Sequence, residues 1–278
     1  MTLSLEALVL PAFDDLEGLP GEAERWHDVY DLERRLRIPG VPAPLAHDGR
    51  VGVVPTGIGK AAAATTTTAL CSSDQLDLSD ALVCSVGVAG GPPTLALGSV
   101  VVSGTVVDWD DKCRLDGDLA LNPYTGERSV FELDSSLVRA GRKHASNAEL
   151  LAIEASERPG HGESTAADEP TVVGGVNVCG DELWHGHAVA EDVEWLLAER
   201  GFEPYRATEM EDAGTAFALE RFDRLEQYLT VRAVSNWDRP VSDRPARESV
   251  FDPSFEAGFG IAIRNAVRAA TRTIEGLR

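Results

Sequence analysis

The chain has 278 residues, 43% of them hydrophobic, which suits one large α/β domain with a full core. Its 46 acidic and 25 basic residues leave a formal charge of −21, a surface that repels phosphate backbones and sets nucleic acid aside as a partner. A membrane-spanning carrier is excluded too: no run reaches the roughly 18 apolar residues of a membrane helix, and the longest, 81–97, is broken by Gly87, Gly90, Gly91, Pro92 and Pro93.

In chain order, residues 1–10 are apolar but lack a basic leader and meet Pro11 at once, so no signal peptide and a cytoplasmic location are expected. Residues 6–11 (EALVLP) predict a buried first strand, 21–30 a helix opening with GEAERW, and 50–56 (RVGVVPT) a strand ending on Gly57-Ile58-Gly59-Lys60. The following AAAATTTTALCS predicts a helix whose small residues let it lie close on a sheet. Residues 81–87 (ALVCSVG) form a continuous apolar run of strand length, buried on both faces, and 99–108 is another strand. This alternation argues for an α/β sheet with right-handed crossovers. Helices are then expected at 135–142 and 147–157, and a surface loop at about 157–170 (ERPGHGESTAADEP), whose composition buries little. A strand at 172–179, helices at 188–200 and 212–221, a strand at 230–235 and a final helix at 255–277 complete the chain.

Only Lys60, Lys112 and Lys143 are lysines. An acidic excess carried with arginine instead of lysine fits solubility in concentrated salt, where the Debye length at about 1 M is only ~3 Å and acid–acid repulsion is screened. Cys71, Cys84, Cys113 and Cys179 are scattered without metal spacing, so neither a disulfide nor zinc is expected.

Four short stretches could carry chemistry. Thr56-Gly57-Ile58-Gly59-Lys60 joins a strand to a helix, whose N-terminal N–H groups and dipole suit phosphate or another anion; a tight turn needs glycine anyway. Ser85-Val86-Gly87-Val88-Ala89-Gly90-Gly91 follows the buried strand, at the place where open α/β sheets seat ligands. Thr208-Glu209-Met210-Glu211-Asp212-Ala213-Gly214 opens a helix, where acids are favourable in their own right, yet a carboxylate also suits the vicinal hydroxyls of a sugar. Ser235-Asn236-Trp237-Asp238 marks a strand running out into a polar loop.

The ordered set GEAERW, IPG, TGIGK, VAG, GTVVDWD, GD…WHG, EMEDAGT and SNWDRP, spread over residues 21–240, resembles the purine nucleoside permease family within the nucleoside phosphorylase/nucleosidase superfamily, in a haloarchaeal-type version. The resemblance implies a single-domain three-layer α/β fold over 1–278, a mixed central sheet surrounded by helices. It also implies a homo-oligomer that binds a nucleoside or purine base without a cofactor, with phosphate as an optional co-substrate. The implied activity is cleavage of the N-glycosidic bond; the rival is a non-catalytic nucleoside-binding protein serving uptake. Glu211 would hold the ribose 2′- and 3′-hydroxyls, with Met210 against the sugar and Glu209 beside it. Thr56 and Gly57 would line the site, and Val88, Ala89 and Gly90 its floor. Trp184 stands where an aromatic commonly stacks on the base, His185 either meets the 5′-hydroxyl or caps a turn, and Glu22 resembles the acid that activates water.

Two departures matter. Asn236 replaces an aspartate, so it can donate to purine N7 but cannot protonate it; this favours 6-oxopurines, unless Asp238 supplies the proton. Val88 stands where a phosphate-binding serine is expected, with no arginine nearby, which weakens phosphorolysis.

Overall fold

The computed structural model describes residues 2–14, 20–125, 129–154, 169–241, 245–249 and 254–278. Its elements run β1 (Leu3–Ser4), β2 (Ala7–Leu10), β3 (Arg34–Leu36), β4 (Leu45–His47), β5 (Val51–Val53), α1 (Lys60–Cys71), β6 (Leu76–Asp77), β7 (Leu82–Gly91), β8 (Val100–Asp108), β9 (Lys112–Leu115), β10 (Asp118–Leu121) and β11 (Val130–Glu132). They continue with α2 (Ser135–Ala145), β12 (Val172–Cys179), α3 (His187–Glu199), β13 (Tyr205–Glu209), α4 (Asp212–Arg221), β14 (Tyr228–Trp237), α5 (Ala246–Ser249) and α6 (Ser254–Leu277).

Successive strand residues face opposite sides, and β2 shows what that does in a sheet covered twice. Ala7 and Val9 join the apolar cluster that includes Ala262, Ala266 and Ala270 of α6. Leu8 and Leu10 join the other, with Leu70 of α1 and Ala216 and Leu219 of α4. Helices therefore cover both faces, and the continuous apolar runs of β2 and β7 follow from that. Small residues on α6 let it lie directly on β7 and β14.

The sheet is mixed. β2 pairs parallel with β5 and β7, β7 parallel with β14, and β12 parallel with β8 and β13. β14 pairs antiparallel with β8, and β13 meets β7 antiparallel through the single pair Thr208↔Gly90. Strands β7, β14, β8, β12 and β13 thus close into a ring, from which β2, β5, β4 and β3 extend as an open wing.

Three expectations change. Residues 21–30 hold a 3₁₀ turn, Glu24–Asp28, and not a full helix; Trp26 is fully buried and Glu22 is turned inward, so tertiary contacts override helical spacing. Of the helix expected at 147–157, residues 147–154 are not helical and 155–157 lie outside the described residues. Asn265 of α6 holds this stretch against the helix, accepting from Leu151 N at 2.8 Å and donating to Leu151 O at 2.9 Å and Gly98 O at 2.8 Å. The stretch 85–91 does not follow the buried strand but belongs to it, since β7 runs through Gly91. The expected loop at 157–170 falls mostly outside the described residues. Among the described residues no helix is long and apolar enough to cross a membrane.

Candidate active site

Where β5 ends, Gly57 and Gly59 take φ of 89° and 94°, the left-handed region that side chains avoid, and the chain turns into α1. The N–H groups freed there do not stand open. Gly59 N donates to Glu211 Oε1 at 3.0 Å and Lys60 N to Asp181 Oδ1 at 2.8 Å, so the anion-binding end of α1 is filled by the protein's own carboxylates. Thr56 is buried, its hydroxyl turned to the Pro11 and Gly57 carbonyls, and Gly57 N donates to Ala12 O at 2.9 Å.

The acidic box joins β13 to α4. Glu209 Oε2 accepts from the backbone N–H of Glu211 at 2.7 Å and of Asp212 at 2.9 Å, and Oε1 accepts from Asn177 at 3.1 Å. Glu209 thereby caps α4 and sets the place of Glu211, while Met210 beside them is half-buried. Close packing of α1 and α4 depends on Gly214, because a Cβ there would collide with the backbone carbonyl of Lys60.

Beneath this box lies a feature that the sequence reading did not single out. Arg232, in the middle of β14, is 1% exposed. Its guanidinium donates to both carboxylate oxygens of Asp212 and to Ser85 Oγ at 2.8 Å, and pairs with Glu209 at 3.0 Å and Glu211 at 3.4 Å. Ser85 and Tyr228 hydroxyls donate to Asp212 as well. One buried cation cannot fully stabilise three buried anions. Burial opposes charge at Asp212, but Arg232 and its hydroxyl donors outweigh it and hold its carboxyl below the usual range. Burial pushes Glu209 and Glu211 upward against the pull of the same arginine.

Glu22 reaches this cluster from the other side. It is 2% exposed, and its two oxygens accept from Val88 N at 2.7 Å and Ala12 N at 2.7 Å. Gly87 makes the room, since a Cβ there would strike the carboxylate. Burial raises the Glu22 carboxyl against the pull of Arg232, and the Glu22 charge in turn contributes to raising Glu211. Further along β7, Ala89 O lies 3.2 Å from Ser235 Oγ, and Gly90 packs against Thr208 and Asn236. Asn236 Oδ1 accepts from Ser235 Oγ at 2.8 Å, and its Nδ2 donates to Trp237 O at 3.2 Å.

The structure thus gathers Glu22, Val88, Ala89, Gly90, Glu209, Glu211 and Asn236, with Thr56 and Gly57 joined through Ala12. Two expected residues stand apart in an adjoining layer. Trp184 is 8% exposed, edge-on to Trp109 and Tyr205 at ring distances of 6.1 and 6.2 Å. Asp238, 1% exposed, accepts from Tyr205 OH at 2.6 Å and Arg239 Nε at 2.7 Å, so both its oxygens are already engaged.

Next to α1, Lys60 Nζ lies 2.7 Å from Asp108 and 2.8 Å from Asp110. Lys112 Nζ lies 3.6 Å from Asp110 and 3.1 Å above the centre of the Trp109 ring. The sequence pattern of the purine nucleoside permease family (NUP) matches residues 4–126 and 116–278. The chain belongs to the purine nucleoside permease family. A Candida albicans purine nucleoside permease is 24% identical over 296 residues, covering 92% of this chain and 72% of that protein.

Solved structures place this family member in the nucleosidase fold. The Neisseria meningitidis 5′-methylthioadenosine/S-adenosylhomocysteine nucleosidase, in complex with methylthio-immucillin-A, superposes with a TM-score of 0.69 at 19% identity, covering 99% of this chain and 100% of that one. The Colwellia psychrerythraea nucleosidase in complex with adenine gives 0.66 at 23% identity, covering 100% and 96%. Futalosine hydrolase of Helicobacter pylori gives 0.68 at 18%, covering 98% and 97%.

Proposed function

We propose that the protein is a purine nucleosidase, cleaving the N-glycosidic bond with water. The observation that carries this reading is the pairing of a buried, proton-avid carboxylate, Glu22, with the ribose-type acceptor Glu211 across a site whose helix N-terminus is closed to phosphate. An incoming phosphate would meet Glu211 and Asp181 where it needs free N–H donors, and like charge there is repulsive. Water meets no such barrier.

In this mechanism Glu211 accepts hydrogen bonds from the ribose 2′- and 3′-hydroxyls, and Met210 lies against the sugar. Glu209 and Arg232 keep Glu211 in place without touching substrate. Glu22 takes a proton from water, whose oxygen bonds to C1′ as the C1′–N9 bond breaks. The bond's electron pair goes to the departing purine, which Asn236 stabilises by donating to N7, and solvent supplies the proton that completes the free base. Val88, Ala89 and Gly90 form the floor. Thr56 and Gly57 fix the Ala12 backbone that holds Glu22, while Trp184 and Asp238 brace the layer behind Asn236. The chemistry calls for no cofactor.

One observation favours a second reading, nucleoside binding in support of uptake: the N7 partner is an amide that cannot act as a general acid. Base release from a nucleoside panel, with and without phosphate in concentrated potassium chloride, separates the two. Release independent of phosphate supports hydrolysis; release that requires phosphate refutes it; binding without release leaves the uptake reading.

A further inference from the structure

The segment 181–186 is fastened at one end to the start of α1 and at the other to the chain leaving β14, two residues beyond Asn236. At one end Asp181 accepts from Lys60 N at 2.8 Å; at the other Gly186 N donates to Asp238 O at 2.8 Å. Between them His185 Nδ1 sits 3.1 Å from Trp237 O, the same carbonyl that accepts from Asn236 Nδ2 at 3.2 Å. A carbonyl can only accept, so Nδ1 carries the hydrogen and the neutral ring offers Nε2 as an acceptor. That Nε2 is shielded from solvent and has no hydrogen-bond partner among the described residues. A buried polar atom without a partner calls for a ligand or water to complete it. Burial also disfavours the imidazolium.

We propose that His185 is a specificity-determining residue, accepting a hydrogen bond from the 6-amino group of a purine held beside Asn236. This inference rests on the nucleoside-site reading given above. The Asn236 amide has two N–H groups; one is used on Trp237 O, which as a carbonyl can only accept and so fixes which side of the amide donates. The two side chains meet at one carbonyl, and each keeps one further polar group, a donor N–H on Asn236 and the acceptor Nε2 on His185. Adenine presents the complementary pair on one edge, N7 accepting and the 6-amino group donating, whereas a 6-oxopurine presents two acceptors there. Asn236 alone favours a 6-oxopurine, whose O6 and N7 can share its amide; His185 reverses that preference by setting an acceptor against O6.

The test is equilibrium binding of adenine, hypoxanthine and unsubstituted purine to the full chain and to its His185→Phe and His185→Gln variants. Adenosine and 5′-deoxyadenosine complete the set, scored by kcat/KM where base is released and by Kd where it is not. Adenine should bind the parent protein about tenfold more tightly than purine, and hypoxanthine more weakly than either. His185→Phe should bring adenine down to purine and leave purine unchanged, which also shows that the variant folds. His185→Gln, which still offers an acceptor, should keep most of the preference. Equal weakening of all three bases by His185→Phe would overturn the proposal. A His185 effect on adenosine that vanishes with 5′-deoxyadenosine would overturn it too, assigning Nε2 to the sugar hydroxyl. Binding that ignores residue 185 sinks this inference alone; a parent protein that binds no base or nucleoside sinks the nucleoside-site reading itself.

Discussion

Replacing Arg232 by methionine keeps a long side chain in β14 and removes the cation shared by Asp212, Glu209 and Glu211. All four side chains are at most 7% exposed, so water cannot take over the guanidinium's role. Breaking a buried ion pair from one side costs about 3–5 kcal/mol, a large share of the roughly 5–15 kcal/mol that holds a domain folded. The variant can recover part of this by binding protons, at about 1.4 kcal/mol per unit of pKa shift. Its carboxyls titrate above their unfolded values, so the folded form binds more protons and the deficit shrinks as pH falls from about 8 toward 5. In the parent protein Asp212 is depressed. Its contribution is therefore complete above the unfolded pKa of about 3.9 and lost only as pH falls through the lower folded value. Urea unfolding of both proteins at the two pH values, in concentrated potassium chloride, measures the difference. A loss under about 1 kcal/mol at the higher pH, or a loss that grows on acidification, would refute the account.

Glu22→Gln should abolish base release while leaving binding within a few-fold; in the parent protein the rate should climb with pH on a limb centred above the ordinary glutamate value of about 4.3, because burial raises Glu22. Glu211→Gln should weaken nucleoside binding far more than free-base binding, as charge-assisted bonds to two hydroxyls, about 1.5–3 kcal/mol each, are lost; calorimetry on matched base and nucleoside pairs reads this, and parallel losses would remove Glu211 as the ribose anchor. Asn236→Asp should increase adenine release from adenosine by up to about 10²–10⁴-fold, since a protonated acid there completes general acid catalysis; unchanged release in liberated-base assays would show that N7 protonation does not limit the reaction. The charge of −21 predicts a melting temperature that falls as potassium chloride is withdrawn, and a midpoint constant down to about 0.1 M would count against adaptation to salt.

The buried strands and the turn at Gly57 and Gly59 were legible because each rests on local physics, an apolar run or a backbone that only glycine tolerates. Glu22, Glu211 and Asn236 were singled out through ordered motifs, each a short stretch whose neighbours fix one side chain. Arg232 was missed because nothing beside it in TVRAVS announces a partner. The available signal was physical: an arginine inside an apolar strand must find buried acids, and the acidic box at 209–212 holds three. The segment 147–154 was read as helix from its own composition, while Asn265, more than a hundred residues away, dictates its course. Trp184 shows a different limit, since a tryptophan facing a ligand and one edge-on to Trp109 and Tyr205 read alike in a sequence.

The treatment of lysine has a practical consequence for handling the protein. Amine-directed reagents need a neutral, reachable nitrogen. Lys60 is held protonated by Asp108 and Asp110 despite its burial, with its side chain 16% exposed. Lys112 lies over the Trp109 ring with its side chain 12% exposed. Lys143, on α2, is exposed. Acylation of side-chain amines in the folded protein should therefore converge on Lys143, placing a fluorophore, cross-linker or surface tether at a defined point on α2.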